Sequence, residues 1–312
     1  MKIRTFQPGD DESQVSVFNA AVADLPGSKL ATVAEVRKRT GNPAFDPTTR
    51  FYAEEAGKVV GYCTLEPEQG RVSFPWCVAG SESIAPQLLE ATIQSARERG
   101  LTKLFAAYRR DWLAVTRFFG DHGFSHTRDM VNYWLPPGDS LTIVNSTQSV
   151  DVLKPEDIPA IAAMGQGVLR LPLEKLEAYF FANPYFPASA VRVLRAKGTG
   201  VPFAVGLGIE NGEYADVRKI DPLAPCFRLG AFGTEGLSTK RVNGLFGFMV
   251  AEPDRTATAG LTLLGALSVE MTDGSVHAFA AQCPSDVRHL VGFYSRYFKE
   301  QGRFPLLERS LT

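Results

Sequence analysis

Residues 250–264, VAEPDRTATAGLTLL, carry the residue types in this sequence that best suit ligand binding. A strand-like apolar run ends at Val250, Arg255 follows a proline, and small residues lead into the apolar start of a helix. Backbone N–H groups at such a turn, together with the positive end of the helix dipole, bind phosphate. Arg255 would add a charged hydrogen bond. The stretch predicts a phosphate-binding loop, although a solvated arginine beside a threonine-capped helix has the same pattern.

Two other motifs fail the test of their context. Gly206, Gly208 and Gly212 hint at a dinucleotide-binding loop, but strand-like residues follow them where that loop requires a helix. His122 and His126 are four residues apart, yet a glycine and the start of a strand separate them, so they do not share a helical face as metal ligands. We therefore expect neither a dinucleotide site nor a metal site.

The composition narrows the class of protein. The chain has 33 basic and 34 acidic residues, a formal net charge of -1, and no basic run, which argues against a nucleic-acid partner. Its 4 cysteines are dispersed without a CxxC pair, which favours free thiols in a reducing compartment. The sequence has no apolar stretch of about 18 residues and no apolar leader after Met1. We expect a cytoplasmic protein without a membrane partner.

The first half of the chain reads as an α/β domain with a mixed sheet. A strand (KIRTF) precedes two helical segments (DESQVSVFNAAVADL and TVAEVRKRT) and a hairpin that turns at Ala56-Gly57. A strand (RVSFPWCV), a helix ending near Gly100, a strand (LTKLFAAYRR), a short helix (DWLAVTRFFGDHG) and a final strand pair (FSHTRDMVNYWL) follow. Such an order is typical of a sheet covered by helices.

The second half repeats this plan after a Pro-, Gly- and Ser-rich boundary near residue 145. It predicts a strand and two helices, a hairpin (AVRVLRAKGTGVPFAVGLGI), the strand LFGFMV, the opening turn, a helix over Gly260–Met271, a strand (VHAFAAQ) and a long helix over Asp286–Glu300. Since 312 residues suit two domains, we expect a tandem repeat with domains at 1–145 and 146–312.

These segments resemble the GCN5-related N-acetyltransferases (GNATs). In the first repeat, AEEAGKVVGYCTL looks like the central hairpin of that family, VAGSESIAPQLL like its pyrophosphate loop and DWLAVTRFFGDHGF like its closing helix. In the second repeat, AVGL, VAEPDRTATAGLTLL and the later strand and helix come in the same order. The resemblance implies two tandem GNAT-like folds and acetyl-CoA, or another acyl-CoA, as cosubstrate, without a metal.

The resemblance places the acyl-CoA site in the second repeat. The loop of that family consists of Arg or Gln, any two residues, Gly, any one residue, and then Gly or Ala. At the three specified positions the second repeat has Arg255, Thr258 and Gly260. The first repeat lacks the cation, and Pro75 removes a strand N–H that the pantetheine arm would use. The expected cofactor contacts are Phe248, Met249 and Val250 on the strand and Arg255, Thr256, Ala257, Thr258, Ala259 and Gly260 in the loop.

Catalysis in the resembling family is direct attack of an amine on the thioester, often with a tyrosine that protonates the leaving thiolate. At the place of this tyrosine, the closing helix of the first repeat has Phe118 and Phe119, whereas that of the second repeat has Tyr294 and Tyr297. Packing in the hydrophobic core would also explain these two tyrosines. Glu235 is the proposed proton acceptor, unless it is a solvated surface carboxylate. Further candidates for this base are Glu252, Asp286 and His289.

Two functions follow from this reading. The first is an N-acyltransferase, with acetyl as the expected acyl group, whose acceptor is a small-molecule or peptide amine; the second is a tandem GNAT-like binding or scaffold protein without catalysis. The glycine-rich stretch 221–244 is long for a connection and is interpreted as a lid or acceptor-site wall of the second repeat. The pairing of repeats is compatible with a monomer or a homodimer.

Overall fold

A computed structural model of the chain describes residues 1–28, 30–43, 45–67, 70–135, 150–165, 168, 173–182, 186–209, 244–270 and 279–312. The chain forms two compact units. Unit 1 consists of Met1–Arg128 and Phe304–Thr312, and unit 2 of Asp129–Arg303. Glu235, the predicted boundary near residue 145 and all of the predicted lid except Gly244 lie outside the described residues.

The elements of the first half follow the predicted order. They are β1 (Lys2–Thr5), α1 (Asp10–Val22), α2 (Val33–Thr40), β2 (Arg50–Glu55), β3 (Lys58–Glu66), β4 (Arg71–Val72), β5 (Trp76–Cys77), α3 (Ala85–Glu98), β6 (Lys103–Ala107), α4 (Leu113–Asp121) and β7 (Ser125–Leu135). The expected strand RVSFPWCV is interrupted between β4 and β5, at Pro75. The expected final strand pair is one strand, β7.

The second half repeats that order. Its elements are β8 (Asp151–Val152), α5 (Ile158–Met164), α6 (Leu173–Phe181), β9 (Val191–Arg195), β10 (Pro202–Ile209), β11 (Gly244–Val250), α7 (Thr256–Glu270), β12 (Phe279–Pro284), α8 (Arg288–Tyr297) and β13 (Lys299–Ser310). The helix expected to run to Glu300 ends at Tyr297, because the residues after it form β13. The helix expected from Gly260 begins four residues earlier.

Local sequence signals explain several of these boundaries. Thr32 and Glu35 form a reciprocal capping box at the start of α2. Ala56 and Gly57, with φ of 48° and 76°, form the predicted tight turn between β2 and β3. Gly100 has φ of 76° just after α3, as expected of a glycine that ends a helix.

Unit 1 is built on a mostly antiparallel sheet. β2 lies between β1 and β3, β3 pairs with β4 and β5, and residues 306–310 of β13 pair with β6. Among the described residues of this unit, one parallel pair joins β4 to β6, at Arg71 and Phe105. Helix α3 packs its apolar face on this sheet through Leu88, Leu89 and Ile93, which are buried.

Unit 2 has the same kind of sheet. β8, β9, β10 and β11 follow one another antiparallel, and residues 130–135 of β7 pair antiparallel with β12. β11 and β12 are parallel, and their registered pairs are Gly244 with Phe279 and Leu245 with Ala280. Beyond these pairs the described residues do not pair across the two strands. We call the opening between the C-terminal ends of β11 and β12 the unit 2 splay.

The compact units differ from the two continuous halves expected from the sequence. Residues 130–135 belong to unit 2 because they pair with β12, and residues 306–310 belong to unit 1 because they pair with β6. The hydrophobic pattern marks a strand but not the strand with which it pairs. The assignment of the repeats themselves to 1–145 and 146–312 stays a prediction.

The two units share one packing feature between hairpin and helix. A Cβ on Gly61 of β3 would lie 3.1 Å from Leu88 Cδ1 of α3, and a Cβ on Gly206 of β10 would lie 3.0 Å from Leu263 Cβ of α7. Each glycine lets the first of two paired leucines approach the strand closely. The same contact in both units agrees with one fold used twice.

Candidate functional site

Tyr294 of α8 lies beside the unit 2 splay. Its hydroxyl is hydrogen-bonded to the backbone of Phe248 in β11, and its ring stacks on Tyr133 at a centroid distance of 5.4 Å. The Tyr133 hydroxyl lies 3.2 Å from Ser295 Oγ. These contacts hold the phenol of Tyr294 against β11, where that strand separates from β12.

Burial sets the protonation state of Tyr294. The side chain is 1% exposed, and burial raises the pKa of the phenol well above its ordinary value of 10, although the bond from Phe248 opposes this rise. The phenol therefore keeps its proton at neutral pH. A protonated hydroxyl at this position is chemically a proton donor for a nearby leaving group.

Tyr297, the other predicted tyrosine, is placed differently. It is half-buried at the end of α8, its ring lies 5.0 Å from the ring of Phe293, and the guanidinium of Arg296 lies 5.6 Å above it. These are packing contacts. Of the two tyrosines, Tyr294 is the one that the structure brings to β11.

The predicted phosphate loop is a single helical turn followed by α7. Pro253–Arg255 form that turn, and the Thr256 hydroxyl donates to the Pro253 carbonyl at 2.7 Å. Ala257 and Thr258 are exposed in the first turn of α7. The first N–H groups of a helix have no acceptor within it, and the helix dipole is positive at this end. The loop therefore presents exposed N–H groups with small side chains around them.

Arg255 stands at the head of this turn in a weak surface contact. Its side chain is 47% exposed, its Nε lies 2.9 Å from Glu252 Oε2, and its guanidinium lies 5.0 Å from the Phe203 ring. An exposed ion pair of this kind contributes about 0 to 1 kcal/mol. Little free energy is therefore needed to turn Arg255 from Glu252 towards a phosphate.

Gly260 faces the core of unit 2. A Cβ there would lie 2.5 Å from Phe293 Cε2 and 2.7 Å from Phe248 Cζ. The glycine therefore allows α7 to pack closely on two aromatic rings. The other expected contacts with buried side chains are Thr256, Ala259, Phe248, Met249 and Val250.

The equivalent positions in unit 1 are occupied by its own side chains. Glu82 Oε1 accepts from the N–H of Gly80 at 3.1 Å, and the Tyr108 hydroxyl accepts from the N–H of Phe74 at 2.5 Å. Phe119, which stacks on Tyr108 at 5.9 Å, lacks a hydroxyl. A carboxylate therefore holds a backbone N–H group in the loop of unit 1.

The remaining candidates for a base differ in exposure. Glu252 pairs with Arg255 as described, and Asp286 is exposed. His289, in the first turn of α8, is half-buried, and burial lowers the pKa of its imidazole below 6.5. Its ring is therefore neutral at pH 7 and able to accept a proton.

Two absences concern the described residues alone. They include no group of three or more His, Cys, Asp or Glu side chains arranged to hold a metal ion. Within the same ranges, no helix has the length and apolar character needed to cross a membrane.

Sequence reasoning missed what distinguishes the two tyrosines. Tyr294 and Phe119 occupy matching places in the closing helices α8 and α4, each directly after a phenylalanine, and this correspondence is visible in the sequence. The hydrogen bond between Tyr294 and Phe248 is not visible in the sequence, because only the fold brings these two residues together.

Similar proteins are known from both sequence and structure. The chain is 41% identical over 137 residues to a mycothiol acetyltransferase of Thermobispora bispora, covering 40% of this chain and 46% of that protein. It is 41% identical over 130 residues to a mycothiol acetyltransferase of Streptomyces bingchenggensis, covering 39% and 42%. The matches thus span less than half of these relatives. No family model matches the chain.

The solved structures match over nearly the whole chain. A GCN5-related N-acetyltransferase from Sphaerobacter thermophilus has a TM-score of 0.61 at 11% identity and covers 99% of this chain and 95% of its own. A tandem GNAT protein from the clavulanic acid biosynthesis pathway has a TM-score of 0.57 at 15% identity and covers 100% and 98%. The resemblance seen in the sequence is confirmed: the chain is a tandem protein of the GNAT fold.

Proposed function

We propose that the chain is an N-acetyltransferase that moves the acetyl group of acetyl-CoA to a primary amine, with the working site in unit 2. The observation that carries this proposal is the buried, protonated Tyr294 hydroxyl beside the splay of β11 and β12. The acetyl transfer in the names of the mycothiol acetyltransferases supports it. The acceptor is an amine of a small molecule or a peptide. The acceptor of the mycothiol acetyltransferases is the first compound to assay.

Each part of acetyl-CoA has a partner in this arrangement. The pyrophosphate lies on the N–H groups of Ala257 and Thr258, where the helix dipole and Arg255 supply positive charge. The pantetheine arm runs along the backbone of β11, and its thioester reaches the splay. The buried side chains of β11 keep this strand in place.

The reaction needs one attack and two proton transfers. The amine nitrogen attacks the thioester carbonyl carbon, and the tetrahedral intermediate then breaks its bond to sulfur. Tyr294 donates its proton to the departing thiolate, and a base takes the proton that the nitrogen must lose. Neutral His289 is the proposed base among the described residues, and Glu235 is the alternative predicted from the sequence.

Unit 1 has lost this role in our proposal. Glu82 holds the loop N–H of Gly80, and Phe119 replaces the phenol of Tyr294. These substitutions favour the alternative role, binding without catalysis, for unit 1 only. We further propose a cytoplasmic protein, monomeric or homodimeric, with no nucleic-acid or membrane partner.

The test compares two tyrosine variants in an assay of CoA release from acetyl-CoA with a panel of amines. Tyr294→Phe removes the proposed acid and should lower kcat about 100- to 10,000-fold, the usual contribution of a general acid. Its KM for acetyl-CoA should change little. Tyr297→Phe, on the same helix, should keep wild-type turnover. Equal turnover of the wild type and Tyr294→Phe would refute the acid role, and no turnover of any amine by the wild type would favour the non-catalytic alternative.

A further inference from the structure

A pair of buried amide side chains joins β7 to β12 in unit 2. Asn132 stands opposite Gln282 in the register of the two strands, and Gln282 Nε2 donates to Asn132 Oδ1 at 2.7 Å. The two residues are 0% and 8% exposed. Burying a polar group costs free energy unless it is hydrogen-bonded, so the bonding capacity that each amide leaves unused is informative.

The bond to Asn132 leaves the carbonyl oxygen of Gln282 available. Because Asn132 accepts through its oxygen, Gln282 must present an N–H group to it, which fixes the orientation of the Gln282 amide. Within the ranges that the structure describes, this is the one side-chain hydrogen bond of Gln282. Gln282 Oε1 is therefore an oriented hydrogen-bond acceptor whose capacity is unused.

This oxygen belongs to a residue at the unit 2 splay. The last registered pair of β11 and β12 is Leu245 with Ala280, and continuing this register by two residues puts Gly247 level with Gln282. Residues two apart on a strand share a face, so Gly247 is on the side of the sheet where Met249 and Ala280 pack. Towards β11, Gln282 thus meets neither a registered strand partner nor a side chain of Gly247.

Gln282 and Tyr294 lie on opposite faces of the splay. Ala281 and Cys283 of β12 pack in the same hydrophobic cluster as Tyr294, whereas Ala280 packs in the cluster formed with α5 and α6. Successive side chains of a strand point to opposite faces, so Gln282 faces the side of α5 and α6. A thioester in the splay would therefore have a proton donor on one face and a hydrogen-bond acceptor on the other.

We propose that Gln282, oriented by Asn132, positions the acceptor amine at the splay by accepting a hydrogen bond from its nitrogen. This inference rests on the proposed function and names the group that receives the amine. The attacking nitrogen must be neutral, with its lone pair towards the thioester carbonyl carbon, and its N–H groups then point away from that carbon. An uncharged amide oxygen accepts such an N–H without stabilising ammonium as a carboxylate would, so it favours the reactive form of the amine.

The first test replaces Gln282 with methionine, which keeps the length of the side chain and removes the acceptor oxygen. CoA release from acetyl-CoA is measured with the acceptor of the mycothiol acetyltransferases as the amine. The kcat/KM for this amine should fall about tenfold, the effect of one lost hydrogen bond. The affinity for acetyl-CoA, measured by calorimetry, should stay unchanged. Ser268→Ala, which removes another buried polar atom of unit 2, is the matched control and should keep wild-type kinetics.

A second variant separates positioning from a structural role. Gln282→Glu keeps the shape of the side chain but adds a carboxylate, which binds ammonium more tightly than the neutral amine. Because ammonium has no lone pair for attack, the KM for the amine and kcat should both fall, each about tenfold. A merely structural role predicts no such tightening.

The outcomes distinguish this inference from the proposed function. An active wild type whose Gln282→Met variant keeps its kcat/KM for the amine would overturn the inference and leave the function standing. An equal loss of acetyl-CoA affinity in Gln282→Met, or an unchanged KM for the amine in Gln282→Glu, would also overturn it. A wild type that neither binds acetyl-CoA nor acetylates the amine would remove the proposed function and this inference with it.

Discussion

Replacing Gly260 with alanine tests the packing of α7 on the aromatic core of unit 2. The added methyl would lie 2.5 and 2.8 Å from Phe293 Cε2 and Cζ, and 2.7 Å from Phe248 Cζ. Both rings are buried among other aromatic side chains, at 4% and 1% exposure, so neither can turn away freely. The helix or the rings must therefore shift.

The size of the effect follows from two opposing contributions. An extra methyl in a packed core costs about 1 to 3 kcal/mol, and alanine in place of glycine within a helix returns about 1 kcal/mol. Because three ring atoms lie below 3.0 Å, we expect the overpacking to exceed the gain, with a net loss of about 1 to 2 kcal/mol in the free energy of unfolding. For a unit of this size, Tm should fall by about 2 to 8 °C.

The chain offers a matched control in the neighbouring helix. A Cβ on Gly292 of α8 would meet nothing within 4 Å, so Gly292→Ala should keep only the helical gain and raise the free energy of unfolding by up to about 1 kcal/mol. Urea denaturation followed by near-ultraviolet circular dichroism measures both variants. A Gly260→Ala protein as stable as Gly292→Ala would refute the packing that we assign to Gly260.

Three further predictions concern the proposed site. Arg255→Ala should weaken CoA binding by about ten- to a hundredfold if the guanidinium bonds the pyrophosphate. The control Arg296→Ala, on α8, should leave CoA binding unchanged. Calorimetric titration with CoA measures both affinities. Since burial raises the pKa of Tyr294 well above 10, kcat should show no loss from ionisation of this phenol up to about pH 10, and a descending limb that Tyr294→Phe removes would contradict this. Since burial lowers the pKa of His289, the neutral imidazole stabilises the fold above about pH 6.5, and that stability is lost as pH falls through the lowered pKa. His289→Gln should therefore flatten the fall of Tm below about pH 6.5, and an unchanged slope would contradict the burial of this imidazole.

The element order was predictable because its signals are local. Helical periodicity, the Ala56-Gly57 turn and Gly100 after α3 each depend on residues close together in sequence. The strand β13 was not predicted because its pairing with β6 joins residues far apart in the sequence, such as Phe105 and Glu308. Because these partners are so far apart, local sequence patterns do not show that the chain after Tyr297 forms a strand instead of continuing the helix.

The site was predictable to the level of the loop and the helix. The sequence pointed to the turn at Arg255 and to two tyrosines of α8. It also showed that the matching positions of the first repeat lack the arginine and the tyrosines. The choice of Tyr294 depends on the backbone of Phe248, and the role of Gly260 depends on Phe293 and Phe248. Both are contacts across the core, which a single sequence does not display.

Titration with acetyl-CoA tests the central claim most directly when a negative charge is placed in each loop in turn. Thr258 and Ser83 are exposed at matching places in the loops of units 2 and 1. A carboxylate in the first turn of α7 stabilises the helix by about 0.3 to 1 kcal/mol, so Thr258→Glu should fold normally while repelling the pyrophosphate. We predict one bound acetyl-CoA per chain for the wild type and for Ser83→Glu, and none for Thr258→Glu. Binding that survives in Thr258→Glu but is lost in Ser83→Glu would place the cosubstrate in unit 1 and contradict the account.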